Sequence, residues 1–285
     1  MTRLAEVETH IASMVELLDI IGAMRSLASM RMQEAHRVLP DIRRYAEAMA
    51  AGIGAALLLL PEPRSMRPAA LGRRGIVLCT AEHGFVGGFT DHTFDAVQEV
   101  LGPDDAFFVL GSRGALLAQE RRRPTAWVYP MATRPEGVPE AISRLTVELY
   151  GWIARGELTH VEVMFARHRQ SSGTTIERRL LFPVDLTVFA KTPRLPPLHN
   201  LKPSVLLEKL IADYVFALLT EAAVEALASE NAARFAAMDA AHDNVVKKLE
   251  QLRQDARQAR QDEITTELLD LVTGAEAFRN PAISA

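Results

Sequence analysis

The chain has 285 residues, 48% of them hydrophobic and 24% charged, with a formal net charge of −4 at pH 7. This composition excludes a disordered chain and fits a globular protein with one large domain or two small ones. It also supplies no general field for nucleic acid, and the one short basic run, Arg121, Arg122 and Arg123, reads as solvated surface.

The single cysteine, Cys79, excludes an internal disulfide framework and suits a reducing compartment. Lying in an apolar run, it reads as a small core residue rather than a nucleophile. The longest apolar run, residues 53–60, is too short to cross a bilayer, which takes about 20 residues. No signal-peptide core or transit segment follows Met1, so the expected location is the cytosol.

In chain order, Leu4, Val7, Ile11, Met14, Leu18 and Ile21 step by three and four, and the stripe continues through Met24, Ala28, Met32, Ala35 and Leu39. Gly22 is its one interruption before Pro40. This predicts a long amphipathic helix over residues 1–60 that passes Pro40 at a kink or a new first turn. Pro61, Pro63 and Pro68 then make residues 61–74 a linker. From Gly75 the texture changes to strands over residues 75–80, 106–111 and 126–129, alternating with helices over 91–101, 114–120 and 139–153. Such alternation predicts parallel β-α-β units, a small Rossmann-like α/β domain over residues 75–190. Residues 161–167 and 175–182, separated by Ser171, Ser172 and Gly173, predict an antiparallel hairpin at the sheet edge.

A proline-rich linker, residues 191–203, leads into a stretch of about 70 residues, 204–273, without Gly or Pro. As one helix it would run roughly 100 Å. Within it Val245, Leu249, Leu252, Ala256 and Ala259 form the seam of a helix packed lengthwise on another, and the predicted helix occupies residues 204–280. The fold class is therefore α+α/β, with the two chain ends in a long, left-handed antiparallel coiled coil and the α/β domain inserted between them. A helical bundle with one broken helix is the alternative.

Three features carry possible chemistry. The run Gly84, Phe85, Val86, Gly87, Gly88, Phe89, Thr90 stands after a strand and before a helix, where amides could cradle a phosphate. It lacks the dinucleotide and nucleotide-loop spacings, and a structural turn is the favoured reading. Glu82, His83, Asp91 and His92 flank it as two acid–His pairs, but neighbours in an element point apart, which disfavours a metal or acid–base site. No Gly-x-Ser-x-Gly elbow supports acyl transfer. Arg253, Arg257 and Arg260, interleaved with Asp255 and Asp262, read as a solvated helix face.

Three segments resemble the gamma subunit of F-type ATP synthases. Gly22, Ala23, Met24, Arg25 and the alanine-rich residues to Ala35 resemble that family's N-terminal helix, and Arg44, Tyr45, Ala46, Glu47 its Arg-Pro-Tyr-Ala-Glu. Gly84 to Thr90 resembles its Gly-Leu-Cys-Gly-Gly-Phe-Asn. The most specific segment runs from Ser229, Glu230, Ala232, Ala233 and Arg234 through Met238 and Asn244 to Ala259, Arg260, Gln261, Ile264, Thr265, Glu267 and Gly274. The departures are Leu18, Asp19, Ile20 and Ile21 in place of the family's Gln-Lys-Ile-Thr, and Arg257 in place of its Asn. They suggest a divergent bacterial branch, for which an alternative sodium-type ATPase is one expectation.

The resemblance implies a central rotor shaft with no catalytic site, metal or cofactor of its own, present once per complex. Its implied partners are the alpha and beta subunits, the epsilon subunit and the membrane c-ring, at the cytoplasmic face of a bacterial plasma membrane. It also implies ring-facing contacts at Met24, Arg234, Arg260, Gln261, Thr265 and Glu267. The lone Cys79 leaves no pair resembling the redox switch of the chloroplast relatives. Two other classes compete: a nucleotide- or metal-binding α/β enzyme with a coiled-coil dimerisation arm, and a coiled-coil adaptor unrelated to ATP synthesis.

Overall fold

The computed structural model describes residues 3–60, 72–169, 173–189 and 198–279. Most of both expected linkers, and the hairpin residues Ser171 and Ser172, lie outside them. Helix α1 (Arg3–Leu57) runs through Pro40 without a break, and α5 (Pro203–Arg279) is a single helix of 77 residues. Pro40 stands on the exposed side of α1, so its missing N–H costs one intrahelical bond and no core packing. Between these helices lie β1 (Arg73–Cys79), α2 (Phe89–Gln98), β2 (Ala106–Leu110), α3 (Ser112–Glu120), β3 (Trp127–Tyr129), α4 (Val138–Ala154), β4 (Leu158–Arg169) and β5 (Gly173–Phe182).

The chain divides into two compact units, one of residues up to Ser26 and from Met238 onward, the other from Leu27 to Ala237. The division falls inside the two long helices rather than at the linkers. In the larger unit both helices belong to the same core as the sheet: Ala35, Leu39 and Ile53 of α1 and Leu219, Ala223 and Val224 of α5 share a cluster with Val163 and Phe165.

The five strands lie in the order β3-β2-β1-β4-β5. Pairing is parallel except between β4 and β5, which form the expected antiparallel edge hairpin. Successive side chains on a strand point to opposite faces, so every central strand is apolar on both. Ile76, Leu78, Phe107, Val109 and Met164 face Phe94 and Val97 of α2 and Ala118 of α3. Val77, Cys79, Phe108, Leu110, Val163 and Phe165 face Ile142 and Leu145 of α4 and the long helices. The turn from β2 into α3 requires glycine twice against Thr80. A Cβ on Gly111, whose φ is +123°, would lie 2.5 Å from the Thr80 carbonyl oxygen, and one on Gly114 would lie 2.1 Å from Thr80 Cγ2.

In the smaller unit, Arg25 Nη1 donates to Asp239 Oδ1 at 2.9 Å and Arg260 Nη2 to Glu8 Oε1 at 3.0 Å. Partner positions fall on α1 as they rise on α5, so the helices are antiparallel. The seam follows the predicted register: Ile21, Leu249, Leu252 and Ala259 are buried, and Leu4, Val7, Ile11, Met14, Leu18, Val245 and Ala256 are half-buried. Two helices alone cover each other along one stripe only, which leaves the flanks of that seam open to water.

Candidate functional site

Between residues 219 and 232 helix α5 is buried on every side, although it carries Glu221, Glu225, Ser229, Glu230 and Asn231 there. Buried charge of this kind is tolerated only with partners, and two clusters in the larger unit supply them.

The first joins α5 to the loop after β1. The Glu230 carboxylate accepts from the backbone N–H groups of Glu82 (3.3 Å) and His83 (3.5 Å). One turn on, Arg234 donates to the carbonyls of His83 (3.2 Å) and Gly84 (3.3 Å) and to Asn231 Oδ1 (3.0 Å). The two side chains pair with each other at 2.6 Å and are only 4% and 8% exposed. Ser229 Oγ adds a bond to the Ala166 carbonyl on β4 at 2.9 Å. The loop itself is held in uncommon backbone geometry, with φ of +62° at Phe85 and +57° at Gly87. Val86 and Phe89 are buried with Ala81 and Ala166 and pack on Ala233. The glycine-rich run is thus a turn seated on a helix, and a carboxylate occupies the two amides that precede it.

Glu82 turns away from this clamp. Its carboxylate accepts from Ser112 N (3.0 Å) and Ser112 Oγ (2.7 Å) at the start of α3, and from Met131 N (2.8 Å) after β3. A carboxylate at a helix N-terminus satisfies an otherwise orphaned N–H and complements the helix dipole. Asp91 pairs with Arg121 at 3.1 Å, and His92 lies over Gly88. Glu82, His83, Asp91 and His92 therefore do not converge. Among the described residues no three His, Cys, Asp or Glu are grouped to hold a metal.

The second cluster joins α1, β4, β5 and α5. Glu221 accepts from Arg43 Nε (2.8 Å), Arg179 Nη1 (2.7 Å) and Arg167 Nη2 (3.5 Å). Glu225 lies 2.5 Å from Arg43 Nη2 and 3.1 Å from Arg167 Nε, and Arg167 also donates to Glu177 at 2.8 Å. Burial opposes ionisation of Glu221. The bonds from Arg43 and Arg179, with their charges, outweigh it and hold the carboxyl below its ordinary range. A cavity of about 500 Å³, with His36 and His168 in its wall, opens beside the cluster. Sequence reasoning missed this network. Its one signal was two glutamates four residues apart in an apolar part of α5.

The implied contact residues fall in different places. Arg260, Gln261, Thr265 and Glu267 are exposed on α5 and Met24 is half-buried on α1. Arg234 departs from the expectation of an outward-facing contact: it is 7% exposed, with its donors committed to Glu230, Asn231 and the loop. Sequence spacing placed it on the right helix but could not say that the loop packs over that face.

A family model described as ATP synthase matches residues 3–278. A gamma chain of ATP synthase from Frankia casuarinae is 28% identical over 292 residues, covering 97% of this chain and 98% of the relative. One from Chromobacterium violaceum is 29% identical over 284 residues, covering 95% and 98%. The chain belongs to the ATP synthase gamma-chain family.

Its function is that of the family, the rotor shaft of an F-type ATP synthase. The fold agrees with solved structures at low identity. A chain of the Euglena gracilis mitochondrial ATP synthase rotor superimposes with a TM-score of 0.59 at 11% identity, over 92% of this chain and 98% of that one. A chain of the Tetrahymena thermophila mitochondrial ATP synthase central stalk and c-ring gives 0.56 at 14%, over 78% and 99%. In this gamma chain the Ser229–Arg234 motif fastens helix to sheet, and Arg260, Gln261, Thr265 and Glu267 are exposed.

Proposed function

We propose that this shaft couples rotation driven by ion flow to ATP synthesis or hydrolysis in a ring of alpha and beta subunits. It stands on the membrane c-ring with the epsilon subunit beside its α/β domain, one copy per complex. It is peripheral to the cytoplasmic side of a bacterial plasma membrane and brings no catalytic site, cofactor or nucleotide of its own. An asymmetric shaft makes different contacts with each catalytic subunit as it turns. Its angle therefore biases their conformational equilibria, and with them their affinity for ATP, ADP and phosphate.

The family match across nearly the whole chain carries this reading. The end of α5 supports it. Ile264, Leu268, Leu269, Leu271 and Val272 are 52–70% exposed, an apolar row suited to running inside a sleeve of other subunits. Met24, Arg260, Gln261, Thr265 and Glu267 are the proposed contacts with that ring. Among the described residues no helix is long and apolar enough to cross a membrane, which accords with a peripheral place.

The test is to mix the purified chain with the alpha and beta subunits of its own organism and follow complex size and steady-state ATP hydrolysis. One copy per three alpha–beta pairs, with sustained hydrolysis that depends on an intact C-terminal helix, is the expected result. If the chain fails to associate while the same subunits work with a standard gamma subunit, the proposal is wrong.

A further inference from the structure

The fastening of α5 to the glycine-rich loop is more than a core contact, because it lies at a junction. Three elements meet at residues 82–84. From one side the buried Glu230–Arg234 pair grips the backbone of Glu82, His83 and Gly84, taking two N–H groups and two carbonyls. From the other, the Glu82 side chain holds the N-terminus of α3 at Ser112 and the backbone of Met131 beyond β3. Polar bonds therefore run without a gap from the long helix, through one loop, to the far edge of the sheet. Apolar packing between a helix and a sheet resists separation but has little directional stiffness, whereas hydrogen bonds fix angle and register.

We propose that Glu230 and Arg234 are positioning residues for energy coupling. They lock α5 to the α/β domain so that a turning force applied to that domain is delivered to the helix without slip. The inference rests on the rotor-shaft reading and adds to it where, within the chain, torque crosses from domain to shaft. The charged fork matters for a physical reason. Arg234 must donate in two directions at once, to the Glu230 carboxylate and to two loop carbonyls, which a guanidinium does and an ammonium does poorly.

The test uses the whole complex, assembled in vesicles, and compares ATP hydrolysis with ATP-driven ion pumping in the same preparation. Three variants are made: Glu230→Gln, Arg234→Lys and Arg234→Ala. Expected for Arg234→Ala is hydrolysis within about twofold of the unsubstituted complex but at least a fivefold fall in ions pumped per ATP. Arg234→Lys and Glu230→Gln should fall between. A purely structural role would instead lower both activities together through lost assembly, leaving the ratio unchanged. An unchanged ratio in all three variants overturns the proposal, and so does failure of all three to assemble. If the unsubstituted chain itself neither assembles nor pumps, the rotor-shaft reading fails first, and that outcome is distinct from either.

Discussion

Replacing Glu221 by Gln keeps the side chain's shape and removes its charge from between three guanidinium groups. In the native protein Glu221 is 8% exposed and holds Arg43 and Arg179 by charge-assisted bonds of 2.8 and 2.7 Å, with Arg167 at 3.5 Å. Hydrogen bonds to charged groups contribute about 1.5–3 kcal/mol each, and breaking a buried pair costs about 3–5 kcal/mol. Arg43 and Arg179 keep 46% and 26% of their side chains in water, so hydration recovers part of the loss. The expected destabilisation is about 2–4 kcal/mol, read as a lower urea midpoint at unchanged slope.

The difference should also depend on pH, with a determined sign. The folded carboxyl sits below its ordinary 4.5, so its contribution is present above that value and is lost as pH falls through the folded pKa. Variant and parent should therefore differ by a constant amount from pH 6 to 8, and the difference should shrink as pH falls below the ordinary 4.5. A difference under about 0.5 kcal/mol at pH 7, the size of an ordinary surface substitution, would refute the account. So would one that persists undiminished at pH 3.

Gly114→Ala should lower stability by about 1–3 kcal/mol, because its methyl would lie 2.1 Å from Thr80 Cγ2 and the β2–α3 turn must shift; a thermal midpoint equal to the parent's would contradict this packing. Cys79 is buried and its thiol is pushed up to about 12 by desolvation, so a thiol reagent at pH 8 should label it only in denaturant, and rapid labelling of native protein would show the site open. Exchanging the charges of Glu8 and Arg260 should change stability by less than about 0.5 kcal/mol, since both are more than half exposed. Replacing Leu268, Leu269 and Leu271 by Ser should change the isolated chain's stability by no more than about 1.5 kcal/mol, about 0.5 for each, as these side chains stand largely in water. In the complex it should weaken the hold of the ring, measured as dissociation rate, and an unchanged rate would remove these leucines from the contact surface.

The sequence by itself determined whatever depends on local period and punctuation. The three-four stripe from Leu4 to Leu39 and the seam from Val245 to Ala259 told which faces of the two long helices are covered. The absence of Gly and Pro from 204 to 273 told that α5 would not break, and the short apolar runs between turns told where five strands lie. The Ser229–Arg234 segment was legible as the mark of a family, but its task was not.

What only the tertiary structure decided are pairings between residues far apart in the chain. Arg43 meets Glu221, Arg167 meets Glu225, and Glu230 and Arg234 meet residues 82–84. Helical spacing places Arg234 on a face but does not say what lies opposite, and its appearance as an outward contact gave way to burial under a loop 150 residues earlier. A charge on a helix reads as solvated until the fold brings a partner to it. Partner choice is a long-range property, because it depends on where the sheet docks, and no local pattern encodes that.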